Sequence, residues 1–93
     1  MEALKDPATS VRAYAAAALR FVSTDNADIN MALVEALKDQ ESSVRMNAAA
    51  SLGIIKSSDI RVHLALANAL KDESILVAMK ALEALELILP TDP

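Results

Sequence analysis

A chain of 93 residues without cysteine has room for one domain and cannot form a disulfide, a thiolate metal site or a cysteine nucleophile. Its formal net charge of −4 argues against the basic stripe that nucleic-acid binding requires. Apolar residues make up 54% but aromatics only 2%, with one glycine and three prolines, a profile that favours helix over strand.

The first element is a stub over 2–5, because Glu2-Ala3-Leu4-Lys5-Asp6 reads like Glu35-Ala36-Leu37-Lys38-Asp39, the last turn of a later helix. Glu2, Lys5 and Asp6 also interrupt any signal-peptide core. A helix is predicted over 9–22. Its apolar positions Val11, Ala15, Ala18, Leu19 and Val22 share one helical face. The polar, cap-forming run Ser23-Thr24-Asp25-Asn26 ends it. Ile29, Leu33, Ala36 and Leu37 then mark a helix over 26–38, and Val44, Ala48, Leu52 and Ile55 another over 42–55. After Lys56-Ser57-Ser58-Asp59, Val62, Leu66, Ala69 and Leu70 mark a helix over 59–71. The last, over 74–89, carries Val77, Ala81, Leu85 and Ile88 and is stopped by Pro90 and Pro93.

These elements recur. Ala-Leu-Lys-Asp stands at 3–6, 36–39 and 69–72, an interval of 33 residues each time. Ser10-Val11-Arg12 aligns with Ser43-Val44-Arg45, and Ala15 and Leu19 with Ala48 and Leu52, then Ala81 and Leu85. Such a period marks a repeat architecture, in which one unit cannot bury its apolar face alone and stacked units share a core. The expected fold is all-α: an α-solenoid of antiparallel helix pairs with about five helices and the N-terminal stub. It is one domain over 1–93, with units 3–35, 36–68 and a truncated 69–93. No apolar run approaches the ~20 residues that span a bilayer, so a soluble protein is expected. A cysteine-free chain fits the periplasm as well as the cytosol; the cytoplasm is the expected location.

The string from Ala3 through Leu19, with Ala-Leu-Val-Glu-Ala-Leu at 32–37, resembles the HEAT-repeat family. It is similar in particular to the short bacterial HEAT-like repeats named after phycobilisome lyases. Ankyrin repeats share the period but carry a Thr-Pro-Leu-His turn, and tetratricopeptide repeats use bulky aromatic and glycine landmarks; neither set is present. The resemblance implies an armadillo-type superhelix that binds proteins as a scaffold, without catalysis or cofactor. It also implies a ladder between units formed by Asp6, Asp39 and Asp72 with Arg12 and Arg45. Such a carboxylate would meet a helix N-terminus and a bidentate guanidinium. The alternative is that each aspartate only caps its own turn. Ala78 stands where a third arginine would fall, so the ladder would end there.

Nothing in the residues points to chemistry. His63 is the only histidine; with Asp59 it makes no metal site, and the repeated His-Glu pairs of iron-binding HEAT-like hydroxylases are missing, since Leu64 follows it. The sole glycine, Gly53, precludes phosphate loops and the serine-hydrolase elbow. The candidate protein-binding residues lie instead on the second helix of each pair. Ala13, Met46 and Met79 would stack into a row across units, with Tyr14, Asn47 and Lys80 beside it, facing an unidentified protein partner. The competing reading packs these residues between units. Met31 and Leu64 would form a second apolar strip on the first helices, unless a slight helix rotation tucks them against a neighbour. A further accessory role, holding a bilin as the lyase resemblance implies, ranks below protein binding. The apolar end helices suggest self-association into a homo-oligomer, and a purely structural, self-associating repeat is the remaining alternative.

Overall fold

The computed structural model describes residues 2–22 and 26–89. A 3-10 turn, Glu2–Lys5, precedes α1 (Thr9–Ala18), which tightens into a second 3-10 turn at Leu19–Phe21. Then come α2 (Ala27–Ala36), α3 (Ser42–Ile55), α4 (Ile60–Ala69) and α5 (Ile75–Ile88). There is no strand among the described residues. The fold is the expected α-solenoid. The linker at 23–25 and Pro90 and Pro93 lie outside the described residues.

Local chemistry sets the helix starts. Asn26 Oδ1 accepts from the backbone N–H groups of Asp28 and Ile29 at 2.8 and 3.2 Å, satisfying two donors that α2 leaves free. Asp59 does the same for α4 through Arg61 N–H, and Ser74 for α5 through Val77 N–H. Helix α3 ends at Lys56, which adopts the left-handed conformation (φ 57°) and returns its N–H to Leu52 O at 3.1 Å. Glycine usually fills that place.

The helices form two layers. In one, α3 lies between α1 and α5; in the other, α2 and α4 lie side by side, α2 packed on α3 and α4 on α5. The packed pairs are therefore 27–55 and 60–88, joined through turns at 37–41 and 70–74. Between the layers, Leu33, Val44, Leu52, Val62, Leu66 and Val77 are fully buried, each stabilising by about 1.5–3 kcal/mol. Val11 and Leu70, read as inward-facing, are 37% and 40% exposed. The cause is the lack of a neighbour. Among the described residues, helix α1 has the four-residue turn Glu2–Lys5 beside it where α3 and α5 have α2 and α4. Among the described residues no helix is stacked beyond α4 to cover Leu70.

Within the α1–α3–α5 layer, small residues let the helices approach closely: Ala16, Ala48, Ala49, Ala81 and Ala84 are all buried. The closest approach is at Gly53. A Cβ placed there would sit 2.7 Å from Ala84 Cα and 2.9 Å from Ala84 Cβ, backbone and near-backbone atoms that cannot swing aside. Gly53→Ala should therefore lower stability, even though alanine gains about 1 kcal/mol of helix propensity, because overpacking costs about 1–3 kcal/mol. Urea unfolding checks this; a variant more stable than the parent would contradict the close approach.

Candidate functional site

The residues repeated most strictly form a chain of ion pairs. Arg12, in the first turn of α1, donates from Nε to Asp39 Oδ2 at 2.8 Å and from Nη2 to Asp39 Oδ1 at 3.2 Å. Arg45, in the same place on α3, reaches Asp72 at 2.9 and 3.2 Å through the same atoms. Each arginine also turns Nη1 back onto its own pair: Arg12 onto the carbonyls of Asp6 and Pro7 at 2.8 and 3.0 Å, Arg45 onto that of Asp39 at 2.8 Å. The aspartates cap their turns as well. Asp6, Asp39 and Asp72 each accept at Oδ1 from the backbone N–H two residues on, at 2.9 Å. Ladder and turn cap thus coexist on Asp39 and Asp72. The Asp6 carboxylate has the cap alone, with no arginine donor among the described residues, and Ala78 leaves α5 without a ladder arginine.

This geometry moves the carboxyls. Burial raises the Asp39 carboxyl, but the hydrogen bond from Arg12, the Glu41 N–H and the charges of Arg12 and Arg45 outweigh it, so Asp39 titrates below its ordinary value. Asp72 follows the same pattern, with burial opposed by Arg45 and the Ser74 N–H. The half-buried Asp59 is lowered to about 2 by Arg61, first through its side chain and then its N–H.

Along the α1–α3–α5 layer the predicted binding residues differ in exposure. Tyr14 is 76% exposed and Met79 50%, whereas Met46 and Lys80 are half-buried, Lys80 beside Glu83 at 3.4 Å. Asn47 is turned inward. Its Nδ2 donates to Ala13 O at 3.3 Å, tying α3 to α1. Ser51 Oγ makes a second tie, to Ala16 O, which the sequence reading missed. Also missed was a second row, Phe21, Ile54 and Leu87, exposed by 82%, 47% and 50%. Its 33-residue spacing was the available signal. On the other layer Met31 packs against the core while Leu64 is exposed, so no continuous strip forms.

His63 has a structural partner: its Nε2 lies 2.9 Å from Ser57 O, and since a carbonyl only accepts, the ring nitrogen donates. Asp59 pairs with Arg61 at 2.6 Å instead of with His63. Asn30, at the register of His63 on α2, donates to Ser57 Oγ at 3.0 Å. Among the described residues no group of three or more His, Cys, Asp or Glu side chains could hold a metal ion. Nor is any described helix long and apolar enough to cross a membrane.

A two-layer stack of helix pairs, held unit to unit by repeated Arg–Asp pairs, is what a repeat family would build, and the family comparison agrees: the model for HEAT repeats matches residues 1–86. The chain belongs to the HEAT-repeat family. No curated protein matches it significantly. HEAT repeats generally act as non-catalytic scaffolds for protein–protein interaction. In this HEAT-repeat chain the Arg–Asp ladder predicts a specific acid response. The two carboxyls are lowered in the folded state. Their stabilisation is therefore full above the ordinary aspartate value of about 3.9 and is lost as pH falls through the folded values. The melting temperature should drop below about pH 4, and less steeply in Asp39→Asn/Asp72→Asn, which starts lower at pH 7. Equal acid slopes for parent and variant would contradict this.

Proposed function

We propose that this chain is a non-catalytic protein-interaction scaffold whose binding surface is the open side of α1, α3 and α5. The observation that carries the reading is the pair of apolar rows, Ala13–Met46–Met79 and Phe21–Ile54–Leu87, each at one register of the repeat, with Phe21, Ile54, Met79 and Leu87 exposed and Ala13 and Met46 half-buried. Small Ala17 and Ala50 separate them on α1 and α3. A partner helix or loop could lay its apolar side across these rows, and exposed methionine adapts to varied shapes. Tyr14 and Lys80 would border the contact. Asn47 contributes by holding the row in register. Exposed large apolar side chains grouped in this way mark interaction sites. Among alternatives, catalysis finds little support: the chain has one histidine and no cysteine, and His63 is engaged by Ser57.

The triple variant Phe21→Ser, Met79→Ser, Leu87→Ser should bind a partner captured by the immobilised chain at least about tenfold more weakly. Its helicity and melting temperature should stay near those of the parent. Leu64→Ser, on the opposite layer, should bind as the parent does. Full affinity in the triple variant, or equal loss in Leu64→Ser, would contradict the assignment.

A further inference from the structure

Helix α5 departs from α1 and α3 at the register through which those helices meet the next one. That register runs through Ala16, which meets Ser51 of α3, and Gly53, which meets Ala84 of α5. Along it α1 carries Thr9, Ala13, Ala16 and Arg20, and α3 carries Ser42, Met46, Ala49 and Gly53. In α5 the same positions are Ile75, Met79, Leu82 and Glu86, and Leu89 follows at the C-cap. All five are exposed, Ile75 by 74% and Leu82 by 50%. The buried side of α5 is made of other residues, Val77, Ala81 and Ala84. Leu82 therefore fills the place of the alanines at the close approach, and Ala78 offers no guanidinium to a following turn. This face is not built to repeat the α1–α3 and α3–α5 contacts.

Its spacing suits a different contact. Ile75, Met79, Leu82, Glu86 and Leu89 follow one another at intervals of four, three, four and three residues. That is the seam of a helix pair in which large side chains interlock at an interaxial distance of about 8–10 Å. The seam complements itself when two copies run antiparallel about a two-fold axis at Leu82. Ile75 then falls opposite Leu89 of the second copy, Met79 beside Glu86, and Leu82 opposite its equivalent. Charge favours the same direction. Lys80, 3.4 Å from Glu83 in its own chain, comes level with Glu83 of the second copy, giving a cluster of two positive and two negative charges. A parallel pair would instead set Glu86 against Glu86. The exposed part of the seam is on the order of 500 Å² per copy, so a pair covers about 1,000 Å², the lower end of specific interfaces.

We infer that the outer face of α5 pairs two copies of this chain, antiparallel and centred on Leu82. The pairing takes Met79 from the rows assigned to a protein partner and leaves Phe21 and Ile54 uncovered, so it adds a second contact to the scaffold reading.

Sedimentation equilibrium of the parent chain tests it. Between about 1 and 500 µM, one chain should pass to two with a micromolar dissociation constant and nothing larger. Leu82→Glu and Ile75→Glu should each weaken the dimer by at least about thirtyfold. Both side chains are exposed, so helicity and melting temperature of the dilute variants should match those of the parent. Orientation is read by cross-linking, since the chain has no cysteine of its own. A mixture of Ile75→Cys and Leu89→Cys should oxidise to a mixed disulfide dimer, and Ile75→Cys alone should link far less. A monomer at every concentration, growth beyond two chains, or a dimer that both glutamate variants leave intact would overturn the inference. So would Ile75→Cys linking to itself as readily as to Leu89→Cys.

Discussion

Each ladder arginine is asked to satisfy two turns at once, and the arrangement of the whole chain follows from how a planar guanidinium can do that. Arg12 holds the carbonyls of Asp6 and Pro7 with one nitrogen and the carboxylate of Asp39 with the other two. Arg45 repeats this one unit on, using the carbonyl of Asp39 and the carboxylate of Asp72. Asp39 is therefore gripped from both sides, carboxylate by α1 and carbonyl by α3. The fork is rigid and bidentate, so it sets the offset between successive turns. The ion-pair side chains are only 10–13% exposed. Pairs so placed return little net stability, since desolvation offsets their attraction, but losing one partner is costly. The ladder's contribution is register; the bulk of the stabilisation comes from the leucines and valines between the layers.

Register matters because the stacking contacts tolerate little error. The Gly53–Ala84 approach leaves no room for a methyl group, and Asn47 and Ser51 meet main-chain carbonyls of α1. A unit rotated or shifted by one residue would bring large side chains into these contacts. With two sides of each second helix committed, one to the core and one to its neighbours, only the open side is free to vary. That is where Met79, Phe21, Ile54 and Leu87 lie, and it is why the proposed binding surface sits apart from the most repeated motif.

Much of this was legible in the residues alone. The 33-residue interval and the apolar spacing place every helix, because helical periodicity and repeat identity agree at Val44, Leu52, Leu33 and Leu66. The Arg12 and Arg45 pairings were legible only through family resemblance, since periodicity does not tell a turn cap from a bond across units. The tie from Asn47 to the Ala13 carbonyl was not legible, because register shows that a side chain lies near a flank without showing what backbone faces it. Val11 and Leu70 share a sequence pattern with buried counterparts, but burial depends on a neighbour that the pattern does not supply. The Phe21–Ile54–Leu87 row escaped because it lies at the helix ends, where Phe21 belongs to a 3-10 turn.

Arg45 and Asp72 act as one unit that couples α3 to the turn before α5. A double-mutant cycle of Arg45→Ala and Asp72→Ala, read by urea unfolding at pH 7, measures that coupling. Strong non-additivity is expected, with a coupling of at least about 1 kcal/mol and a double variant hardly worse than either single one. Additive losses, with coupling near zero, would contradict it.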